Sequence, residues 1–524
     1  MNQELPRVTY SNIRADFSGV HALLDQRIPA FKRDRLGQTW PNRIGGVSHS
    51  GGEPYAAPSP IDRRVTLGHF HAADANAVSL AVAAARDAFR VWSREPWTDR
   101  VDVLRSLAWE LEARKYDLAI ACLLEVGKSR MEAMGEAEEA IDLVRYYADE
   151  MTANHGFVRP LRQAFPEEQT GDLLRPVGVF AVIAPFNFPL ALSVNMITGA
   201  LLAGNTVVYK PSPFAGLTGA LLTEAIEAAG VPPGAINLVC GDAATGELLA
   251  RHPRVDGIAF TGSHRVGMGL LREVAAGAYN RPVIVEMGGK NPTYVTASAD
   301  LDAAAEGVMR SAFGLQGQKC SAGSKVYVHA AVHDAFVARL VGLTEKIAVG
   351  DPAARQVFMG PLIDGRALDR FRSVVGGARN AGRILTGGEA RSGGLYDQGA
   401  YVSPTIVEGL NPHHRINKDE LFLPFLSLLS FTDLASAIAD GNDVAYGLTA
   451  GCYAQDETEL NHFLEHAEAG VLYANRPSGA TTGAWPGVQS FCGWKGSGVS
   501  SKGGLGPYYL PQFMREQSRT IWRG

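Results

Sequence analysis

Between Pro176 and Tyr209 the chain carries no charged residue. A run of that length is either a membrane span or the interior of a large folded core. It holds Pro185, Pro189, Asn187, Asn195 and Asn205, with Pro-Phe-Asn-Phe-Pro early within it. In lipid, amide side chains without partners and a backbone interrupted by two prolines are costly. A buried strand (VGVFAVIA), a turn and a core helix beginning near Leu190 place the same residues without that cost.

The sequence that follows repeats the theme. TVVYK (206–210) precedes a helical pattern closing at Gly230, and INLV (236–239), GIAF (257–260) and PVIVEM (282–287) continue the series. Short strands apolar on both faces, alternating with helices, predict a parallel sheet covered on both sides. A second cycle starts after Asn291: YVTA, a helix capped by Asp300, SKVYVHA, and a helix from His333. Upstream, Ala-rich apolar periodicity predicts helices over 75–155. The Gly-rich region 375–412 reads as surface loops, and the last 45 or so residues read as a loop-rich segment. The expected fold is therefore α/β, with two successive parallel-sheet domains.

Composition removes several function classes. Of 524 residues, 46% are apolar and 20% charged, values that exclude a disordered, collagenous or coiled-coil chain. Forty-nine Lys and Arg against 54 Asp and Glu give no electrostatic basis for a nucleic-acid partner. Five cysteines without a CxxC pair argue for a reducing compartment. The first residues lack both a secretory h-region and a transit-peptide pattern, so a cytoplasmic protein with no membrane partner is expected.

Familiar motifs fail. Gly267-Met-Gly269-Leu-Leu-Arg272 lacks its third glycine and lies in a helical pattern, and Gly127-Lys128-Ser129 lacks the opening glycine of a P-loop. No metal-ligand spacing and no Ser-hydrolase elbow appears. Three segments remain. Asn187 follows a buried strand, where an amide can donate to a ligand, although it can equally be a turn residue. Glu286 ends an apolar strand, where desolvation would raise its pKa toward that of a useful base, or where it could simply form an ion pair. Cys320 sits on a small-residue turn beside Lys319, whose charge would favour a thiolate, yet lone cysteines are often buried small hydrophobes.

Together, in this order and spacing, these segments resemble the aldehyde dehydrogenase superfamily from about residue 60 onward. Lys210-Pro-Ser, Phe260-Thr-Gly-Ser263 and Glu420-Leu-Phe422 add to the likeness. The resemblance implies a Rossmann-like cofactor domain (1–155 and 176–288), a catalytic domain (289–490), a substrate anchor loop (491–506), and a β flap (156–175) with a C-terminal strand (507–524). It implies oxidation of an aldehyde to an acid, with Cys320 as nucleophile, Asn187 holding the oxyanion and Glu286 activating water. NAD would be held by Lys210, Ser212, Gly262, Ser263, Glu420, Phe422 and Phe186. Pro213 stands where the family often has an acid that repels a 2′-phosphate, so NADP stays possible.

Within the superfamily the chain most resembles the branch that oxidises glutamate γ-semialdehyde to glutamate. The features are Gln318-Lys319-Cys320-Ser321-Ala322, the run from Glu139 to Ala148, and Thr481-Thr-Gly-Ala484 leading to Gly498. That likeness implies an α-carboxylate held by Ser321 and the backbone N–H groups of Gly504 and Leu505, with Lys319 adding charge. Glu139 would line the entrance and Phe513 would pack on the aliphatic chain. The anchor, Gly498-Val-Ser-Ser-Lys502, departs from the usual Gly-Thr-Asn-x-Lys, and another semialdehyde or a broader aldehyde range stays open. The flap, about Gly156–Glu167 and Gly171–Arg175, would pair with the chain end to build a homodimer or a dimer-based oligomer. A non-redox thiol esterase and a catalytically idle structural protein are the competing classes.

Overall fold

The computed structural model describes residues 5–12, 15–476 and 483–524, so Thr481 and Thr482 lie outside the described residues. Two seven-stranded sheets dominate it. In the first, the strand order is Val283–Glu286, Gly257–Thr261, Val179–Ile183, Thr206–Lys210, Ile236–Leu238, Asn42–Ile44, Val47–His49. The first five run parallel, and Asn42–Ile44 and Val47–His49 extend the edge antiparallel. The second runs Arg383–Thr386, Thr405–Glu408, Phe425–Phe431, Gly323–His329, Asn291–Val295, Thr449–Tyr453, Val471–Ala474, parallel except for its first strand.

The order of strand addition reverses beside Val179–Ile183, whose neighbours are Thr206–Lys210 on one side and Gly257–Thr261 on the other. A crevice at such a switch, beyond the carboxyl strand ends, is where open α/β sheets take ligands. The turn after Ile183 is set there by the N-terminal helices. Glu136, on helix Arg130–Ala153, accepts the backbone N–H groups of Leu190 and Ala191 at 2.9 and 3.2 Å. Its other oxygen takes the fully buried Lys128 Nζ at 2.6 Å, and that ammonium lies 3.5 Å from the Phe188 ring centroid. Glu125 does the same for Leu217 and Thr218. Two helix N-termini that begin without side-chain caps of their own are thus capped by carboxylates from other helices.

The region expected as loops over 375–412 is corrected. Helix Gly365–Ala381 covers its start, and Arg383–Thr386 and Thr405–Glu408 pair at the edge of the second sheet. Each of these strands has only two apolar residues between polar ones, too short an apolar run to mark a strand. The short strands between residues 38 and 71 are likewise not revealed by the sequence.

The flap forms as a three-stranded antiparallel sheet within one chain, Met514–Trp522 pairing along Glu168–Pro176, which pairs with Val158–Pro160. Among the described residues, no helix is long and apolar enough to cross a membrane.

Candidate active site

Cys320 follows a turn that few sequences can make. Leu315, Gln316 and Gly317 all hold left-handed φ (47°, 56° and 66°), and a Cβ on Gly317 would overlap the Leu423 carbonyl. From the other side Asn291 clamps the turn: its Nδ2 donates to the carbonyls of Cys320 at 2.8 Å and Ala322 at 2.9 Å, while its Oδ1 accepts the Thr449 N–H. Sequence reasoning missed Asn291. An amide opening an otherwise apolar strand, directly after Gly-Gly-Lys, was the available signal.

Glu286 ends its strand, fixed through the backbone. Its carbonyl accepts the Gly262 N–H at 3.0 Å, and the next N–H, of Met287, donates to the Ser497 carbonyl at 2.8 Å. Burial pushes the Glu286 carboxyl up to about 7, against the one hydrogen bond that opposes it, from the Gly504 N–H at 3.0 Å. The expectation of a desolvated carboxylate holds.

The expectation for the thiol does not. Burial, with the carboxylates of Glu286 and Glu420, pushes Cys320 up to about 12, so it rests as a thiol. Lys319 is half-buried and desolvation lowers its pKa; a side chain built on Gly314 would meet both its Nζ and the Glu132 carboxylate, so the cation sits toward Glu132. Two negative groups outweigh one desolvated cation that faces another partner.

A cavity of about 330 Å³ joins these groups, with Cys320, Ser321, Lys319, Glu286, Gly504 and Leu505 among its lining. Glu139 also lines it, accepting a hydrogen bond from Tyr10 Oη at 2.8 Å. Asn187 is buried and is not itself among the residues lining the cavity, although its neighbour Phe188 is. Phe513 is a correction: it is fully buried against Phe180, ring centroids 5.2 Å apart, and beneath Gly199, outside the cavity lining. The short helix Leu510–Phe513 tucks the chain under the first sheet before the flap strand, and this docking takes Phe513 into the core. Phe491 lines the cavity instead.

The anchor amides are also not free. Gly504 N–H is taken by Glu286, and Leu505 N–H donates to Tyr147 Oη at 2.9 Å. Tyr147 in turn donates to Asn195 Oδ1 at 2.6 Å. Buried amides need acceptors, and these are the ones within reach. Neither Tyr147 nor Asn195 was singled out as a site residue.

The remaining predicted residues gather at the strand ends of the first sheet and across from them. Lys210 Nζ donates to the carbonyls of Pro211 and Gly241, both at 2.8 Å, and burial takes its pKa down to about 8. Ser212 follows it, its Oγ accepting the Phe214 N–H. Gly262 leads into Ser263, the exposed N-cap of helix His264–Ala275. Glu420 accepts the Gly289 N–H at 3.1 Å, and burial raises it to about 7. A Cβ on Gly288 would overlap that carboxylate. Phe422, at φ 56°, turns its ring edge-on to Phe186 at 5.9 Å. An open helix N-terminus for phosphate, a desolvated lysine at a strand end and a half-buried carboxylate fit a dinucleotide in its extended form.

The sequence model of the aldehyde dehydrogenase family matches residues 47–518. The chain belongs to the aldehyde dehydrogenase family. A curated relative from Halalkalibacterium halodurans, named 1-pyrroline-5-carboxylate dehydrogenase 1, is 35% identical over 491 residues, 93% of each chain. The solved 1-pyrroline-5-carboxylate dehydrogenase from Thermus with bound NAD superposes at a TM-score of 0.92, with 31% identity and full coverage of both chains. An NAD-dependent aldehyde dehydrogenase from Sinorhizobium meliloti gives 0.87 and 32%, covering 94% of this chain and 96% of its own. This chain is an aldehyde dehydrogenase in fold and family, and NAD is the cofactor that its family and site support.

Proposed function

We propose that this aldehyde dehydrogenase oxidises L-glutamate γ-semialdehyde, the open form of 1-pyrroline-5-carboxylate, to L-glutamate with NAD. The observation that carries the reading is one cavity holding a nucleophile, a desolvated carboxylate and the two backbone amides of the 504–505 turn. Cys320 Sγ adds to the aldehyde carbon as its thiol proton leaves to solvent water, and the oxyanion is held by the Asn187 amide and the Cys320 N–H, donors that matter most as charge develops. Lys210, Ser212, Gly262, Ser263, Glu420, Phe422 and Phe186 would hold NAD, which when bound supplies the acceptor for the electron pair that leaves the Cys320 adduct. Glu286 then takes a proton from water; the hydroxide adds to the thioester, the C–S bond breaks, and the proton returns to the leaving thiolate. Ser321 and the 504–505 turn receive the substrate's α-carboxylate, with Lys319 and Glu139 setting the charge of the cavity wall.

A dimer built through the flap goes with this reading. Val158, Leu161, Phe165, Ile521 and Trp522 are exposed there, with Phe165 and Trp522 in edge contact at 5.9 Å. Single exposed apolar residues mean little, but a cluster on one small sheet marks an association surface. A cytoplasmic setting follows from the unpaired cysteines.

The test is initial-rate nucleotide reduction at 340 nm with NAD and NADP in turn, on pyrroline-5-carboxylate, succinate semialdehyde and a simple alkyl aldehyde. A large kcat/KM preference for the first, with NAD, is expected. Equal or better rates on the others would leave an aldehyde dehydrogenase of another specificity.

A further inference from the structure

The resting site contains a conflict. If the 504–505 turn is to receive a carboxylate, as the proposed function requires, its amides must be available, yet each already has a partner. The two partners differ in kind. Leu505 N–H is held by Tyr147, a fully buried ring fixed by Asn195 and stacked on Tyr509 at 5.4 Å. Gly504 N–H is held by the side chain of Glu286, whose carboxylate has no second hydrogen bond or ion pair among the described residues and which is otherwise fixed only at its backbone.

We infer that Gly504 is a shared seat: it parks the Glu286 carboxylate before substrate enters, and a substrate carboxylate entering the turn takes that N–H and releases Glu286 toward the acyl-cysteine. One N–H directed along one line serves one strong acceptor. Two carboxylates brought into one buried space also repel, so the incoming anion both removes the tether and pushes the base away. No covalent step is involved; one hydrogen bond is exchanged for another. Because the backbone of residue 286 is pinned on both sides, by Gly262 and by Ser497, the motion is confined to the side chain.

The consequence is a second level of selectivity. An aldehyde without a carboxylate can still acylate Cys320, but Glu286 stays parked and the thioester is hydrolysed slowly. Stopped-flow nucleotide reduction separates the two steps, using L-glutamate γ-semialdehyde and pentanal on the intact enzyme. Pentanal should give a burst of one equivalent per site and then a steady rate at least about tenfold below that of the semialdehyde, within the range general-base catalysis controls. Acetate added with pentanal should raise the steady rate but not the burst, and in Glu286→Gln it should change neither. Equal hydrolysis rates for the two acyl-enzymes, or no effect of acetate on the wild type, would overturn the shared seat. Neither result bears on substrate identity, which is read from kcat/KM in the preceding experiment.

Discussion

At the scale of single residues, the nucleophile and the base are both held in their neutral-leaning forms. Cys320 is raised to about 12 and Glu286 to about 7, chiefly by burial. A base whose pKa lies near 7 is half ionised there, so the rate limited by thioester hydrolysis should fall as pH drops through 7 and level off above it. Profiling kcat across mildly acidic to mildly alkaline buffer checks this, and Glu286→Gln should lose that limb along with about 10²–10⁴-fold in steady-state rate. Cys320→Ala should abolish reduction of the nucleotide by aldehyde while leaving nucleotide binding, read by fluorescence quenching, intact. Asn291 acts through Cys320, as a positioning residue. Asn291→Ala frees the nucleophile turn, and since a displacement of about 1 Å can cost about 10²-fold, kcat should fall far more than KM changes.

At the scale of elements, the turn bearing Asn187 depends on a carboxylate from another helix. Glu136→Ala removes the cap on Leu190 and Ala191 and leaves the Lys128 ammonium buried without its carboxylate. Breaking such a pair from one side costs about 3–5 kcal/mol, so thermal unfolding should shift down clearly. Adding Lys128→Met to Glu136→Ala should recover part of that loss, which separates the stranded charge from the lost cap. None of this was legible in the chain. Gly127-Lys128-Ser129 resembled a phosphate loop, whereas Gly127 in fact closes helix Trp97–Val126 with φ 75° and Lys128 is structural. The buried strands of the parallel sheets were legible as continuous apolar runs set between helical patterns, and the helices because their period runs over several turns. TVVYK is a strand at the predicted bounds, and Asp300 caps its helix as read. The short edge strands were not, because pairing rather than sequence pattern decides them.

At the scale of the whole molecule, Cys320 and Glu286 could be singled out from the chain because their residue types carry the chemistry, whereas the anchor turn was legible only through the family resemblance. What surrounds them could not: Tyr147, Asn195 and Asn291 act through contacts between distant segments, and the direction Lys319 faces is a tertiary fact. The flap is the exposed counterpart. Phe165→Ser with Trp522→Glu removes its apolar contact and should shift the sedimentation coefficient to that of a single chain at micromolar concentration, with the parent sedimenting as a dimer or larger. The contacts that complete the active site also bear on how it forms in time. Gly504 meets Glu286 across 218 positions of chain, and Leu505 meets Tyr147 across 358. Ring closures that long are late events, since the chain must lose its freedom before they return any stabilisation. On dilution from denaturant, backbone ellipticity should therefore return well ahead of turnover, and a refolding intermediate should exist with both sheets formed and no working base.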